Sequence, residues 1–381
     1  VNFGQRAFAY TPPTGYKALN VFNLDDPTIE DPSAHFDIVA WTATGTNPRT
    51  ITTPDEWTPD LVWHKMRSAA GSNYVWDKVR GFGNNGLATE RTDAEGYQST
   101  YYTMADATDG FSIQQDGVGN EVNYDGKTYV SWMWNAGGSN TTNDASATGI
   151  GTIDSTYRAN PSVGFSIVSY TGEDTDGATV AHGLNATPNL VIVKSRSGAY
   201  EWPVYHSSLT AGNNLFLHLT NQENSVSSTV TAGGVGAVSS TTFTCTEGIG
   251  NINNTNADTA TYVAYCWSEV EGFSKFGSYL GNGVVDGPFV YTGFKPRWIM
   301  IKESSASGNN WNIWDSERDP FNVTDAQLKA SSNAAEATNT FADFLSNGFK
   351  IRGSAGGLNG SDATHVFAAF AESPFKYSNA Q

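Results

Sequence analysis

Three stretches of the sequence present the same landmarks in the same order. In each stretch a proline stands six residues before a lysine: Pro59 and Lys65, Pro188 and Lys194, Pro296 and Lys302. An aromatic-containing phrase precedes each pair ("FDIVAWTATG", "FSIVSYTGED", "SKFGSYLGNG"), and another closes each stretch ("TYVSWMW", "TYVAYCW", "THVFAAF"). A recurring order of this kind indicates internal repetition. The sequence therefore predicts three copies of one unit, which start near residues 36, 165 and 274.

Each copy spans about 100–110 residues, whereas solenoid repeats span about 20–50, so we expect every copy to be a domain with its own core. Alternating apolar residues and frequent Gly, Asn, Ser and Thr clusters predict strands joined by turns. The predicted fold class is all-β, with three tandem antiparallel β-sandwiches of the jelly-roll or lectin-like kind. The predicted organisation is a terminal strand and linker at 1–35, sandwiches at 36–134, 163–273 and 274–381, and a linker at 135–162.

One stretch favours a helix. Residues 324–345, "TDAQLKASSNAAEATNTFADFL", offer a threonine N-cap and several alanines, although the apolar stripe is poor.

The closing strand of each copy is apolar on both faces. In the first copy Val130, Trp132 and Trp134 share one face, while Ser131 and Met133 share the other. A strand at the surface of a sandwich should present one polar face to water. Such a strand therefore needs cover from a loop, from a neighbouring copy or from another chain, and the last alternative predicts a homo-oligomer.

The recurring lysines predict a structural cross-strand contact. If the residues that follow each lysine form a hairpin, the lysines lie near the returning strand. The partners would then be Asp77, His206 and Asp315. Since the second copy has a histidine where the others have an acid, we favour a structural pair or a lysine that extends towards water over a catalytic role.

The charge balance argues against nucleic-acid binding. The chain of 381 residues carries 38 acidic and 21 basic side chains and a net charge of −17. Such a field repels phosphates. No apolar run approaches the ~20 residues that a membrane-spanning helix needs, so membrane insertion is not expected.

No metal, cofactor or catalytic residue is predicted. The two cysteines, Cys245 and Cys266, lie in apolar strand-like runs, and we interpret them as buried hydrophobic residues rather than a disulfide. The acidic turn at 172–177 could bind Ca²⁺ through Asp174 and Asp176, although a solvated hairpin tip is the simpler interpretation.

Exposed aromatic residues are candidates for weak binding of glycans. Several tyrosines fall in stretches that differ between the copies, where ordinary loop packing is the alternative interpretation: Tyr97, Tyr101, Tyr102, Tyr124 and Tyr200. No pair of carboxylates recurs on converging strands, as glycoside hydrolysis would require.

Several phrases of the sequence resemble one family of proteins. The opening "VNFGQRAFAYTPPTGYKALN" and the later "PNLVIVKSR", "TYVAYCWSEVEGFSKFGSYLGNG" and "GPFVYTGFKPRWIMIK" are similar to structural proteins of marine tailed bacteriophages. These proteins are described as tail fibre or virion appendage proteins. The resemblance implies that residues 1–24 are the closing strand of a SPRY-like domain, and that the chain is made in the host cytoplasm and built into the virion.

The expected function is therefore that of a non-enzymatic virion protein. We expect a tail fibre or surface appendage that attaches to the host surface or its glycans. The expected partners are further copies of the chain, most simply in a trimer, and other virion proteins. A tailspike-like polysaccharide depolymerase is the alternative.

Overall fold

The computed structural model describes residues 10, 25–97, 100–116, 121–226, 233–248 and 254–377. The predicted closing strand at residues 1–24 falls outside this part of the chain, apart from Tyr10. The prediction of an all-β fold is confirmed, since the described residues form antiparallel sheets and two helices of four residues, α1 (Ala145–Thr148) and α2 (Gly356–Asn359). No described helix has the length and apolar character to cross a membrane.

The first segment, residues 36–134, contains two sheets. Its strands are β1 (Phe36–Thr42), β2 (Arg49–Thr52), β3 (Leu61–Met66), β4 (Asn73–Asp77), β5 (Leu87–Ala88), β6 (Tyr102–Ala107), β7 (Gly110–Gln115) and β8 (Thr128–Trp134). The larger sheet has the order β1-β8-β3-β4-β5, and the smaller has the order β2-β7-β6.

The second segment, residues 141–267, repeats this plan with additions at both edges. Its strands are β9 (Thr141–Asn143), β10 (Ser155–Asn160), β11 (Phe165–Thr171), β12 (Thr179–Ala181), β13 (Leu190–Ser195), β14 (Pro203–His206), β15 (Asn213–Phe216), β16 (Asn224–Ser225), β17 (Gly234–Val238), β18 (Thr242–Thr246) and β19 (Thr261–Trp267). The sheets have the orders β16-β15-β14-β13-β19-β11-β10-β9 and β12-β18-β17.

The third segment, residues 274–374, joins all its strands in one sheet. They are β20 (Ser274–Leu280), β21 (Phe289–Tyr291), β22 (Phe294–Glu303), β23 (Asn312–Asp315), β24 (Thr324–Lys329), β25 (Ala337–Leu345), β26 (Gly348–Ile351) and β27 (Thr364–Pro374). Their order is β20-β27-β22-β23-β24-β25-β26-β21.

The closing strand occupies the same position in each segment. β8 lies between β1 and β3, β19 between β11 and β13, and β27 between β20 and β22. The register is also shared, because the lysines Lys65, Lys194 and Lys302 lie opposite Val130, Val263 and Val366. The strands that carry the three lysines therefore hold one common position.

Each segment buries one face of its closing strand inside itself. In the first segment Tyr129 and Met133 of β8 pack with residues of β6 and β7. Tyr262 and Cys266 of β19 pack in the same way within the second segment. The free cysteines Cys245 and Cys266 are both buried here. The third segment has an equivalent core around Phe367.

The opposite faces of the three closing strands meet in a single shared core. This core includes Trp132 and Trp134 from the first segment, Trp267 from the second and Trp298 and Phe370 from the third. The second apolar face of each closing strand is thus covered by the neighbouring segments of the same chain. Each segment therefore has a core of its own and also contributes to this shared core.

Trp134 lies at the centre of the shared core. Its ring is 6.0 Å from that of Trp267, 5.8 Å from that of Trp298 and 5.6 Å from that of Phe370. One side chain therefore contacts aromatic rings of both other segments. Edge-to-face pairs at these distances each add about 0.5–1.5 kcal/mol to the burial of the rings.

The helix predicted at 324–345 is wrong. This stretch forms β24 and β25, and its first buried apolar residues, Ala326, Leu328 and Ala330, recur at every second position rather than at helical spacing. Period-two burial outweighs the helical propensity of the alanines.

The stretch at 135–162 is more ordered than the predicted linker. It contains β9, α1 and β10, and β10 pairs with β11 over six residues. The side chains of β10 are mostly half-buried, so the stretch extends the edge of the second segment's sheet. The other domain boundaries stay predictions.

We expect Trp134→Ala to destabilise the whole chain, because it leaves a cavity bordered by all three segments. Its free energy of unfolding in urea should fall by about 3–5 kcal/mol. The exposed Tyr124→Ala should change it by less than about 0.5 kcal/mol. Loss of stability confined to one phase of a multi-step unfolding curve would contradict a shared core.

Candidate functional site

The lysine contact predicted from the sequence is wrong in its partners. In the first hairpin Lys65 lies opposite Asn73, and Asp77 lies opposite Leu61 at the other end. Since the strands run antiparallel, the first residue of one strand meets the last of the other. The lysines are also fully buried, so they do not extend towards water.

Each buried lysine instead donates a hydrogen bond to a neighbouring segment. The acceptors are backbone carbonyls: Asn333 O for Lys65 at 3.2 Å, Thr92 O for Lys194 at 3.0 Å and Thr220 O for Lys302 at 3.5 Å. Carbonyls of the lysine's own segment accept further bonds. The contacts run in one cyclic direction, from the first segment to the third, from the second to the first and from the third to the second.

Burial lowers the pKa of these lysines. The pKa is about 8 for Lys65, about 7 for Lys194 and about 8 for Lys302, with desolvation as the main cause and nearby carboxylates opposing it. Carbonyl oxygens around each ammonium partly compensate for the loss of water.

A glutamate lies three residues beyond each of these acceptors. The backbone N–H groups of Glu336, Glu95 and Glu223 donate to the carbonyls of Arg67, Arg196 and Ser304, at 2.9, 2.7 and 2.9 Å. Every pair joins the same two segments as the lysine bond, but the glutamate N–H donates in the opposite direction, back towards the segment that carries the lysine. The three interfaces therefore share a backbone arrangement as well as a buried lysine.

Two interfaces add a bridging carboxylate to this arrangement. Glu95 binds Arg196 of the second segment at 2.6 Å and approaches Arg80 of its own segment at 3.4 Å. Glu336 binds Arg67 of the first segment at 2.8 Å and Arg318 of its own at 2.9 Å. The side chains of Arg80 and Arg318 are buried. Each bridge therefore connects a buried arginine to the neighbouring segment.

The same two arginines each pair with a buried aspartate. Arg80 Nε lies 2.5 Å from Asp77, and Arg318 Nε lies 2.6 Å from Asp315. A donor from the neighbouring segment completes each pair: Tyr265 OH donates to Asp77 at 2.9 Å, and Trp132 Nε1 donates to Asp315 at 3.0 Å. Buried charges are tolerated when such bonds satisfy them.

The third interface, between the second and third segments, has no aspartate–arginine pair and uses a neutral hydrogen bond instead. His206 and Leu209 stand where the other segments have aspartate and arginine, and Ala368 stands where they have the tyrosine or tryptophan donor. His206 Nε2 lies 3.0 Å from the carbonyl of Phe367, and its Nδ1 accepts from Ser208 N at 3.1 Å. The residues at the aspartate position and at the tyrosine or tryptophan position therefore both differ here from those at the other two interfaces.

The two hydrogen bonds of His206 assign one neutral tautomer. A carbonyl can only accept, so Nε2 carries the proton, and Nδ1 is occupied by an N–H that would repel a second proton. Burial lowers the pKa of His206 to about 4. The imidazole is therefore neutral at pH 7 and acts as a fixed connection between the second and third segments.

We call the buried lysines, their carbonyl acceptors and the aspartate, arginine and histidine contacts the interface network. Its polar groups are buried and bonded to one another, so they hold three segments in a fixed relation. The interface network as defined here contains no exposed acid or base that is positioned to act on a substrate.

The tyrosines predicted to bind glycans are mostly packed. Of the five, Tyr124 is exposed, Tyr102 is buried, and Tyr97, Tyr101 and Tyr200 are half-buried. Arg91 lies over the Tyr97 ring at 4.2 Å. Packing against the rest of the chain is therefore the interpretation that the structure favours for four of them, and Tyr102 packs from the strand β6 rather than from a loop.

The acidic turn is exposed at both Asp174 and Asp176. The pKa of Glu247 is raised mainly by burial, and the negative charges of Asp174 and Asp176 raise it further. Across the described ranges, no three His, Cys, Asp or Glu side chains are grouped so that they could hold a metal ion.

An exposed aromatic surface on the third segment was missed by the sequence analysis. Phe289 and Tyr291 of β21 are 45% and 61% exposed. Beside Tyr291 lies a cleft of about 310 Å³. Its lining includes the carboxylates Asp25, Asp26 and Glu271.

Comparison with known proteins assigns the chain to one family. The model of a domain of unknown function, DUF7483, matches residues 31–374. The match spans all three segments, and the chain belongs to this family. Neither the curated proteins nor the solved structures gave a match.

We expect Tyr265→Phe to lower the free energy of unfolding by about 1.5–3 kcal/mol, because it removes the hydroxyl that donates to the charged Asp77. Chemical denaturation would measure the loss. Tyr205→Phe is the matched control, since Tyr205 is half-buried and the loss of its hydroxyl should have little effect. Equal stability of the Tyr265→Phe protein and the wild type would contradict the interface network.

We expect His206→Gln to weaken the dependence of stability on pH. The folded pKa of about 4 lies below the unfolded value of about 6.5, so this histidine lowers stability as pH falls from 6.5 towards 4. Between pH 7 and pH 5 its contribution is about 2 kcal/mol. Glutamine can still donate to Phe367 O but does not titrate.

The measurement is the free energy of unfolding of both proteins at pH 7 and pH 5. The difference between the two pH values should be smaller in His206→Gln by the stated amount. The same difference in both proteins would show that His206 is not held neutral in the fold.

Proposed function

We propose that this member of the DUF7483 family is a non-enzymatic structural protein of a tailed-phage particle. In this proposal it is a tail fibre or surface appendage that attaches the particle to the host surface or to host glycans. It is made in the host cytoplasm and resides in the virion.

The observation that carries the proposal is the interface network together with the shared core. Three segments are joined by hydrogen bonds at every interface, by two carboxylate bridges and by one aromatic cluster. A body joined in this way keeps its surfaces in a fixed relation, which suits a part that presents binding surfaces. The resemblance of several sequence phrases to phage appendage proteins supports the same function.

The interior ionisable groups support a structural rather than a catalytic role. A lysine with a pKa near 7 is often a sign of an active site. Lys194 has such a pKa, yet it is fully buried and its ammonium donates to three carbonyls. The position of the lysine between two segments accounts for its burial without a reaction.

Other virion proteins and further copies of the chain are the proposed partners. The apolar strand face that suggested a homotrimer is covered inside the chain, so an association of copies would use the outer surfaces instead. The net charge of −17 is unfavourable for contact with nucleic acid.

The proposal predicts that the protein is present on purified particles of the phage that encodes it. Mass spectrometry of the particles should detect the chain, and gold-labelled antibody raised against residues 31–374 should mark the tail or another surface feature in electron micrographs. Particles that lack the chain after infection has produced it in the cell would contradict the proposal.

The same purified protein separates attachment from depolymerisation. Incubation with host polysaccharide should release no reducing ends. Their release, at a rate that rises with protein concentration, would favour the tailspike-like alternative.

A further inference from the structure

The exposed aromatic residues of β21 have direct counterparts in the first segment. Tyr291 lies opposite Gly348, as Thr52 lies opposite Gly110. Phe289 lies two pairs further along the strand, at the position of Thr50. The two strands therefore hold the same place against β26 and β7.

The inward position is apolar in every segment, whereas the outward positions differ. Val290, Ile51 and Val180 are all buried. The outward positions carry exposed threonines in β2, and in β12 they carry Thr179 and Ala181, which are half-buried and buried. The fold thus needs only the inward residue, and the large exposed rings of the third segment require another explanation.

Both rings are carried by a strand that is paired within the sheet. A Cβ placed on Gly348 would lie 2.9 Å from Phe289 Cζ, so this ring covers the strand β26 closely. Tyr291 forms one wall of the cleft, beside Gly293. A β-strand that pairs with β26 holds both rings, which limits the entropy lost when a ligand binds.

The cleft beside Tyr291 is lined by hydrogen-bonding groups. Asp25 and Glu271 contribute carboxylates, and Thr28 contributes a hydroxyl. Asp26 forms an ion pair with Lys376. We call Phe289, Tyr291 and this cleft the Tyr291 surface.

We infer that the Tyr291 surface binds a neutral saccharide, an inference that rests on the proposed attachment function. Aromatic faces attract the C–H faces of sugar rings, and carboxylates accept hydrogen bonds from their hydroxyl groups. The cleft is at the lower end of the ~300–1,000 Å³ range of small-molecule sites, which fits one or two sugar rings.

The charge of the surface selects against anionic ligands. Three carboxylates face one ammonium in the cleft, and the whole chain is strongly acidic. Phosphorylated or sulfated ligands would be repelled. An uncharged sugar has the combination of apolar faces and hydroxyl groups that this surface offers.

The test uses native gels that contain dextran, laminarin or mannan as probes. The wild-type chain should be retarded by at least one of them. The double substitution Phe289→Thr and Tyr291→Thr gives β21 the outward residues of β2, which fold in the first segment, and should weaken binding at least about tenfold. Tyr124→Thr, which removes an exposed ring elsewhere, should be retarded like the wild type.

Three results would overturn the inference. The first is a wild-type chain that none of the three polysaccharides retards, and the second is a double variant that is retarded as strongly as the wild type. If the double substitution instead lowers the mass measured by light scattering, the surface joins copies of the chain and the saccharide site is wrong. Detection of the protein on phage particles would leave the proposed function standing in each case.

Discussion

The architecture depends on the burial of a second apolar face on three strands. A sandwich can cover only one face of its closing strand, yet β8, β19 and β27 are apolar on both. The chain covers the remaining faces by packing the three segments against one another around Trp134. The burial of one tryptophan-sized side chain is worth several kcal/mol, so separation of any one segment would expose a large apolar area.

This packing places polar groups in the interior and thereby creates the interface network. Where the lysine strand of one segment meets a loop of the neighbouring segment, backbone carbonyls of that loop lose water, and the buried lysine donates to them. Asp77 and Asp315 are each neutralised by an arginine and completed by a donor from the neighbouring segment. The third interface replaces acid, arginine and donor together by His206, Leu209 and Ala368. A single change would leave a buried charge unpaired, which is why these positions differ as a set.

The sequence predicts the strands well and their partners poorly. The shared order of the recurring phrases predicts that the three lysine strands hold one common position. The apolar residues on both faces of the closing strands indicate that each of these strands must be covered on both sides. They do not say what provides that cover, because a neighbouring segment, a loop and another chain produce the same pattern. The Asp-x-x-Arg spacing in "WDKVR" and "WDSER" was not used in the sequence analysis; it would have indicated a local ion pair, but not the tyrosine and tryptophan donors. Alignment of "FVY" at 289–291 with "TIT" at 50–52 would have revealed the Tyr291 surface.

The central claim is that the three segments form one cooperative unit, and native-state hydrogen exchange tests it most directly. Under increasing denaturant, the backbone amides of β8, β19 and β27 should open with one common free energy and the same denaturant dependence, because their shared core must open at once. A segment whose closing strand exchanges through a separate opening of lower free energy, while the other two stay protected, would contradict the claim.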